Sequence, residues 1–254
     1  MKLMRGLLYV ILLLAVTGVY GKEIKLLTLE NPPLEYKDNG VAKGFNVELV
    51  TEVLKRMGHT ANIEIMPWKR ALSYTANGKA DGVIDAGKNA EREKDFYFPE
   101  ESIYTEDIYL FKTKNRYLVL EDNLSNAGKL EIGINRGFFY GGIIQEALDN
   151  NKFKKVEEVS TYSDNVKKLM AGRFDALVGN KLNVEYAAKA ENYSSDIEIV
   201  KDKSGNQYKL STNNTYVAFS KQTMDQAFAD AFSKALKEVK ADGTYENLKT
   251  KYFK

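Results

Sequence analysis

Two residues can be assigned chemistry first, an arginine inside a charged turn and a tryptophan upstream of it. Arg92 stands in "NAEREKDFYFPE", 89–100. A guanidinium offers a planar fork of N–H donors that fits a carboxylate through two parallel hydrogen bonds. From the residues alone, the stronger reading is that Arg92 is one more charge in a solvated "EREK" turn. Trp68 is the only Trp. Its flat face can orient a small ligand at little entropic cost, or it can cover the start of a helix. Arg70, two residues on, either reaches the same region or lies on the helix surface. His59 is the only histidine, and one histidine does not make a metal site. There is no Cys, so neither disulfides nor thiol chemistry enter. The sequence has no Gly-rich phosphate loop and no nucleophile elbow. No catalytic residue, cofactor or metal is expected.

These residues flank a repeat. "NGKADGVI", 77–84, returns as "AGRFDALV", 171–178. Each copy follows a helical run and sets an Asp, Asp81 or Asp175, before a short apolar strand. The spacing is too long for a solenoid. It fits two similar α/β lobes with a cleft between them, where small ligands bind.

The surrounding elements support two lobes. "EIKLLTL", 23–29, reads as a buried strand. "GFNVELVTEVLKRMG", 44–58, places Phe45, Leu49, Val50, Val53, Leu54 and Met57 at helical spacing, with Gly58 as the stop. "ANIEIMP" is a second strand. Pro67 opens the helix "PWKRALSYTANG" where a missing N–H costs nothing, and "DGVID" is a third strand. The order β-α-β-α-β favours a parallel sheet with helices on both faces. "SIYTEDIYLFKTK", 102–114, reads as an extended crossing. The second unit then runs strand "KLEIGIN", turn "GFFYGG", helix "GIIQEALDNN", strand "KVEEVST", helix "YSDNVKKLMAG" and strand "FDALVGN". Ser163 or Asp164 suits the N-cap of its second helix. "TYVAFSK", 215–221, looks like a returning strand. The final helix carries an apolar face of Ala227, Phe228, Ala231, Phe232, Ala235, Leu236 and Val239. Two crossings, near 110–116 and 210–216, form a hinge that allows closure. Lobe 1 is then 22–112 with 214–254, and lobe 2 is 113–213.

Composition bounds the setting. With 44% apolar and 28% charged residues, the 254-residue chain has the balance of an ordinary soluble protein. Lys2 and Arg5 precede an apolar run from Leu7 to Val16 and then small residues to Gly21. This is a secretory signal peptide over 1–21, and its run is shorter than the roughly 20 residues of a membrane span. Its removal leaves 35 basic and 35 acidic residues. No global positive field then points to nucleic acid. With no Cys to carry a lipid, the product of a Gram-negative source is expected free in the periplasm.

The chain resembles the family 3 extracellular solute-binding proteins, the periplasmic polar-amino-acid receptors of ABC transporters. The resemblance spans nearly all of the mature sequence. "GFNVELVTEV" is similar to the signature that opens the first helix, with Asn46 where Asp is usual. "DGTYENLKTKYF" is similar to the closing segment, and "GKADG" and "AGRFDA" sit at the two lobe repeats. The resemblance implies an α/β, two-lobed periplasmic-binding-protein-like fold, with two hinge crossings and a ligand cleft between the lobes.

It also implies site roles. Arg92 would hold a ligand carboxylate and Trp68 would pack on the ligand. Several positions depart from the family pattern. Gly87 replaces a Ser or Thr, leaving only its backbone N–H. Phe138 follows Gly137 where a hydroxyl residue is usual. Asn31 stands where an aromatic is common. Asn180 replaces the Asp that takes an α-ammonium, and a neutral amide cannot pair a buried ammonium as a carboxylate does. The carboxylate end of the clamp is kept and the ammonium end is weakened. Either Asp85 or Glu30 compensates, or the ligand is a carboxylate lacking the usual α-amine, or a larger compound. The expected ligand-binding set is Arg92, Trp68, Asn31, Asp85, Gly87, Phe138, Asn180 and Arg70.

The expected function is capture of a small polar carboxylate, an amino acid or related compound, for an inner-membrane ABC permease. The protein is expected to act as a monomer. Two alternatives stay open. One is a periplasmic lyase of the cyclohexadienyl dehydratase type, with Glu30, Asp85 or Glu185 as general acid. The other is a stand-alone sensory module.

Overall fold

The structure, a computed structural model, describes residues 21–253. The expected signal peptide lies outside them except for Gly21. Lobe 1 begins with β1 (Glu23–Thr28), the hairpin β2 (Tyr36–Asp38) and β3 (Val41–Lys43), α1 (Phe45–Arg56) and β4 (Thr60–Ile65). It continues with α2 (Trp68–Ala76), β5 (Gly82–Gly87) and the short β6 (Phe96–Tyr97). β7 (Tyr104–Thr113) crosses to lobe 2. There follow β8 (Val119–Leu120), β9 (Glu131–Asn135), α3 (Gly142–Asp149), β10 (Lys155–Val159), α4 (Tyr162–Met170), β11 (Ala176–Asn180), α5 (Lys181–Ala190), β12 (Ile197–Ile199) and β13 (Lys201–Asp202). β14 (Lys209–Ser220) returns, and α6 (Gln226–Ala241) and α7 (Thr244–Phe253) finish on lobe 1.

One sheet runs through both lobes in the order β10-β9-β11-β7-β14-β5-β1-β4. β4, β1 and β5 are parallel, as are β10, β9 and β11. Each trio comes from one β-α-β-α-β unit. The two crossing strands pair antiparallel with each other at the centre. The boundaries expected at 112/113 and 213/214 fall inside these strands.

The repeated Asp has the same task in each lobe. Asp81 Oδ2 accepts from the Lys25 amide at 3.0 Å, and Asp175 Oδ2 accepts from the Glu131 amide at 2.8 Å. The Asp backbones mirror this, donating to the carbonyls of Lys25 and Glu131. In each case the carboxylate ties the start of the lobe's central strand to the strand that follows it.

α1 shows how the first motif folds. Phe45, Leu49, Val50, Val53 and Leu54 are buried on one face, against Phe232 and Leu236 of α6. Full burial of one such side chain is worth about 1.5–3 kcal/mol. Gly44 precedes the helix at φ 125°, and a Cβ there would stand 2.2 Å from the Leu34 carbonyl oxygen. Only glycine fits. Glu48, in the first turn, accepts from Lys251 Nζ at 2.7 Å and from the Tyr252 hydroxyl. The opening signature and the closing segment therefore meet in space.

Three local readings need correction. α4 is capped by Thr161, whose hydroxyl accepts from the Asp164 amide, not by Ser163 or Asp164. Tyr162 buries itself as the first helical residue, so the cap lies two residues before Ser163 and three before Asp164. α5 was not anticipated, because "KLNVEYAAKA" mixes charge and alanine without a clean stripe. On α6 the buried face is Ala229, Phe232, Ser233, Ala235, Leu236 and Val239, while Ala227 and Ala231 are exposed. Alanine marks a helix face poorly, and the large residues Phe232, Leu236 and Val239 set its rotation.

Candidate ligand-binding site

The site lies where β5, the Arg92 turn and the two crossing strands meet the 137–139 turn of lobe 2. Its inner cavity is lined by Leu29, Trp68, Asp85, Gly87, Arg92, Glu106, Phe138, Phe139, Asn213 and Thr215, and it encloses about 20 Å³. That is room for roughly one water. An open groove of about 580 Å³ lies on the other side of Arg92, Phe138 and Phe139, within the usual size of a small-ligand site. A ligand of amino-acid size reaches the inner groups only when this partition moves.

Arg92 spans the lobes. Nη1 donates to the Gly87 carbonyl at 2.7 Å, and Nη2 donates to the Gly137 carbonyl at 3.1 Å. Trp68 Nε1 donates to the same Gly137 oxygen at 3.1 Å. The guanidinium lies 5.6 Å from the centre of the Trp68 ring, within cation–π range. The Asn89 side chain accepts from the Arg92 amide and fixes the turn. Burial lowers the Arg92 pKa to about 10, so it remains a cation at neutral pH. The position is set by sequence. Pro67 starts α2 so that Trp68 faces inward, and β5 ends at Gly87 just before the turn.

Gly87 has a steric reason. A Cβ there would stand 3.0 Å from Asn213 Nδ2 and 3.2 Å from Phe139 Cδ1. Phe138 packs against buried clusters of both lobes and meets Trp68 edge-on at 6.4 Å. It is a lobe 2 plug set into lobe 1.

Asp85 is aimed by an irregularity. Val83 pairs with Ala218 and Ala86 with Tyr216, so Ile84 and Asp85 oppose Val217 alone. The extra residue, Asp85, takes φ 73°. Bulges of this kind re-aim side chains near functional sites. Asp85 accepts from Asn31 Nδ2 at 3.0 Å. Behind it, fully buried Glu35 accepts from Asn46 Nδ2 at 2.6 Å, and the same amide approaches Asp85 at 3.5 Å. Asn46 stands between two acids, where the family's usual Asp would add a third charge. Glu106, on β7 opposite Asn213, is 6% exposed. Burial raises all three carboxyl pKa values, those of Glu35 and Glu106 well above the usual value. Asp85 pushes Glu35 and Glu106 higher, and Glu106 also raises Glu35. Thr215, Asn31 and Arg92 oppose the rise at Asp85.

Of the expected residues, Arg92, Trp68, Asp85, Gly87 and Phe138 line the inner cavity. Asn31 is buried behind Asp85. Asn180 does not line the cavity. Its side chain donates to Asn183, and Asn183 Nδ2 donates across the cleft to the carbonyls of Asn31 and Pro32 at 3.2 and 3.0 Å. Asn180 serves an amide relay between the lobes. Arg70 is exposed and outside the cavity, because two residues along a helix turn it to the face away from Trp68. Glu30 is exposed and accepts from the Lys37 amide, and Glu185 is exposed and paired with Lys181. Neither reaches the site. Glu106, Glu35, Thr215, Asn213, Phe139 and Leu29 were not anticipated. Glu106 gave no clear signal, because Asp107 follows it directly in the same strand.

The family model of bacterial extracellular solute-binding proteins, family 3, matches residues 24–254. The chain belongs to this family, which makes it a solute-binding protein rather than an enzyme. It is 25% identical over 224 residues to the arginine-binding extracellular protein ArtP of Bacillus subtilis, covering 87% of this chain and 82% of that one. It is 26% identical over 234 residues to the histidine-binding periplasmic protein of Salmonella typhimurium, covering 87% and 83%. In fold it is similar to a histidine kinase sensor domain resembling periplasmic binding proteins, with TM-score 0.78, 20% identity and coverage of 92% and 96%. Among the described residues no helix is long and apolar enough to cross a membrane.

Proposed function

We propose that the chain is exported and captures a small polar carboxylate, an amino acid or a related compound, between its lobes for an ABC transporter. The observation that carries this reading is the position of Arg92. Its guanidinium sits in the interlobe cavity with both terminal nitrogens on main-chain carbonyls, one from each lobe. A carboxylate is a stronger acceptor than these neutral carbonyls and matches the fork in shape. A ligand would displace the Gly137 carbonyl and take its place as the link between lobes. Binding that favours the closed form shifts the open–closed equilibrium, giving a permease a signal of load. The names of the arginine- and histidine-binding relatives support an amino acid as the ligand class. Trp68 would cover one face of the ligand, and Phe138 and Phe139 would fold back around it. The protein would act as a monomer in the periplasm or at the cell surface.

The test is a thermal-shift screen of the purified protein against amino acids, keto acids, dicarboxylates and polyamines. A ligand that binds only the native state raises the melting temperature by mass action. The expected result is a hit among carboxylates that is lost in Arg92→Ala. Hits that survive Arg92→Ala unchanged, or hits only among compounds without a carboxylate, would refute the assignment.

A further inference from the structure

We propose that Glu35 holds a proton in the folded protein at mildly acidic pH, and that this proton fastens the 31–35 loop and, through it, the Asn183 link between the lobes, so that closure weakens as pH rises. The inference goes beyond the carboxylate reading of Arg92 and does not rest on it. It concerns a cluster behind the cavity wall. Asn31, Glu35 and Asn46 are each 1% exposed or less, and the residues that line the inner cavity do not include them.

The cluster is short of donors. Asn31 Nδ2 donates to Asp85 at 3.0 Å, and Asn46 Nδ2 donates to Glu35 Oε1 at 2.6 Å. Three buried acceptors, Asn31 Oδ1, Asn46 Oδ1 and Glu35 Oε2, are then left without a partner among the described residues. Buried polar atoms rarely stay unpaired, and three in one cluster mark a missing donor. Turning either amide round is no remedy, because its oxygen would then face a carboxyl. A proton on Glu35 is a remedy. An acid and a primary amide form a ring of two hydrogen bonds only when the acid is protonated. Glu35 Oε2 and Asn46 Oδ1, the two unmatched atoms of this pair, are the second half of such a ring.

The groups that act on Glu35 do not offset its charge. Asp85 from β5 and Glu106 from β7 act as like charges, and from α1 it meets the neutral Asn46 amide. Arg92 acts on Asp85. Tyr104 of β7, its hydroxyl raised chiefly by burial, stays neutral. Burial first, then these acids, hold the Glu35 carboxyl well above its ordinary range.

The loop carries this state to lobe 2. Asn31 and Glu35 close it, amide to carbonyl in both directions, at 2.7 and 3.2 Å. Its Pro33 and Leu34 carbonyls accept from the first two amides of α1. Its Asn31 and Pro32 carbonyls accept from Asn183 Nδ2 across the cleft. One loop therefore joins the acid, the helix and the opposite lobe. Ionising Glu35 puts a buried charge beside Asp85. Moving the loop relieves it and takes the Asn183 acceptors away. A form that holds a proton more tightly is favoured at low pH, and the preference is lost as pH rises through the pKa of that form.

The experiment is small-angle scattering of the ligand-free protein from pH 5 to pH 9, with infrared spectra over the same range. The expected result is a radius of gyration that grows with pH, in step with loss of the carbonyl stretch of a protonated carboxyl. Glu35→Gln keeps a donor in place at every pH. It should hold the small radius throughout and lose part of the infrared band at low pH. Asn183→Ala should flatten the dependence of the radius on pH while keeping the band. A dependence retained in full by Glu35→Gln would overturn the inference. So would a radius set by sodium concentration rather than by pH, which would put a metal cation among the orphaned oxygens. A radius unchanged across the range in the unaltered protein would also overturn it, and this holds even where a variant fails to fold. None of these outcomes touches the reading of Arg92, which needs a ligand to test.

Discussion

Arg92 of the first lobe donates to the carbonyl of Gly137 in the second at 3.1 Å, and Trp68 donates to the same oxygen. Arg92, the proposed carboxylate clamp, therefore also links the two lobes. Arg92→Lys keeps the charge but loses the fork. The hydrogen bonds of a charged group are worth about 1.5–3 kcal/mol each, so we expect roughly 10- to 100-fold weaker ligand binding, with Arg92→Ala weaker still. Titration calorimetry on both variants measures this. Equal affinities in Arg92→Lys and the unaltered protein would remove the bidentate role.

The buried acids predict an inverted pH dependence of stability. A carboxyl whose folded pKa exceeds its unfolded value binds more protons when folded. Stability then falls as pH rises from the unfolded value, near 4.5, through the folded values. Ligand-free protein is expected to melt higher at pH 5.5 than at pH 7.5. Half-buried acids held low by partners, such as Asp107 with Lys209 and Glu48 with Lys251, act in the opposite direction and only at more acidic pH. Glu35→Gln removes one repulsive charge and keeps the bond pattern. We expect it to raise the melting temperature by about 2–4 °C at pH 7.5, the effect of roughly 1 kcal/mol in a chain of this size, and to change little at pH 5.5. Scanning calorimetry at both pH values decides it.

The lobes were legible because each carries a full local signal: an apolar stripe, a glycine stop, an Asp and a short strand. Asp81 and Asp175 even share one hydrogen-bonding role. The Arg92 turn and Trp68 were legible through their residue types and motif positions. Of the acidic floor only Asp85 was expected, and nothing in the sequence showed how it is aimed. Glu106 reaches the site through pairing between β7 and β14, two strands distant in sequence, and Asp85 through a bulge that exists only once Val217 lies opposite. Glu35 is buried by the chain folding over it, and no periodicity marks that. Asn180 was misleading for the converse reason. Its position suggested a ligand contact, yet Asn183, one helical turn on, takes its side chain.

The equivalence of Asp81 and Asp175 gives a test of the repeat. Each accepts the amide at the start of a central strand. Replacing either by Asn halves the acceptor capacity while keeping the shape. We expect about 1 kcal/mol of lost stability for each. The sites lie in different lobes without shared partners, so the double variant should cost the sum. Chemical denaturation followed by circular dichroism provides the values. A large departure from additivity would mean that the lobes unfold separately, each variant destabilising only its own lobe.

Trp68 supplies the most direct view of closure, because it is the only tryptophan in the chain and its Nε1 bonds the opposite lobe. Its ring lies against Arg92 on one side and meets Phe138 edge-on. Opening removes the Gly137 acceptor and exposes the ring to water, while a ligand carboxylate on Arg92 changes the charge beside it. Its fluorescence should therefore shift on ligand binding, and a saturating titration should give the same affinity as calorimetry. Trp68→Phe keeps most of the apolar face and removes only the N–H. The lost hydrogen bond, worth about 1 kcal/mol, should open the ligand-free protein and weaken its latch about fivefold. Small-angle scattering should then show a larger radius of gyration without ligand, returning toward the closed value when ligand is added. An unchanged radius would place the weight of closure on Phe138 packing and the Asn183 relay, and leave Trp68 only as a cover for the ligand.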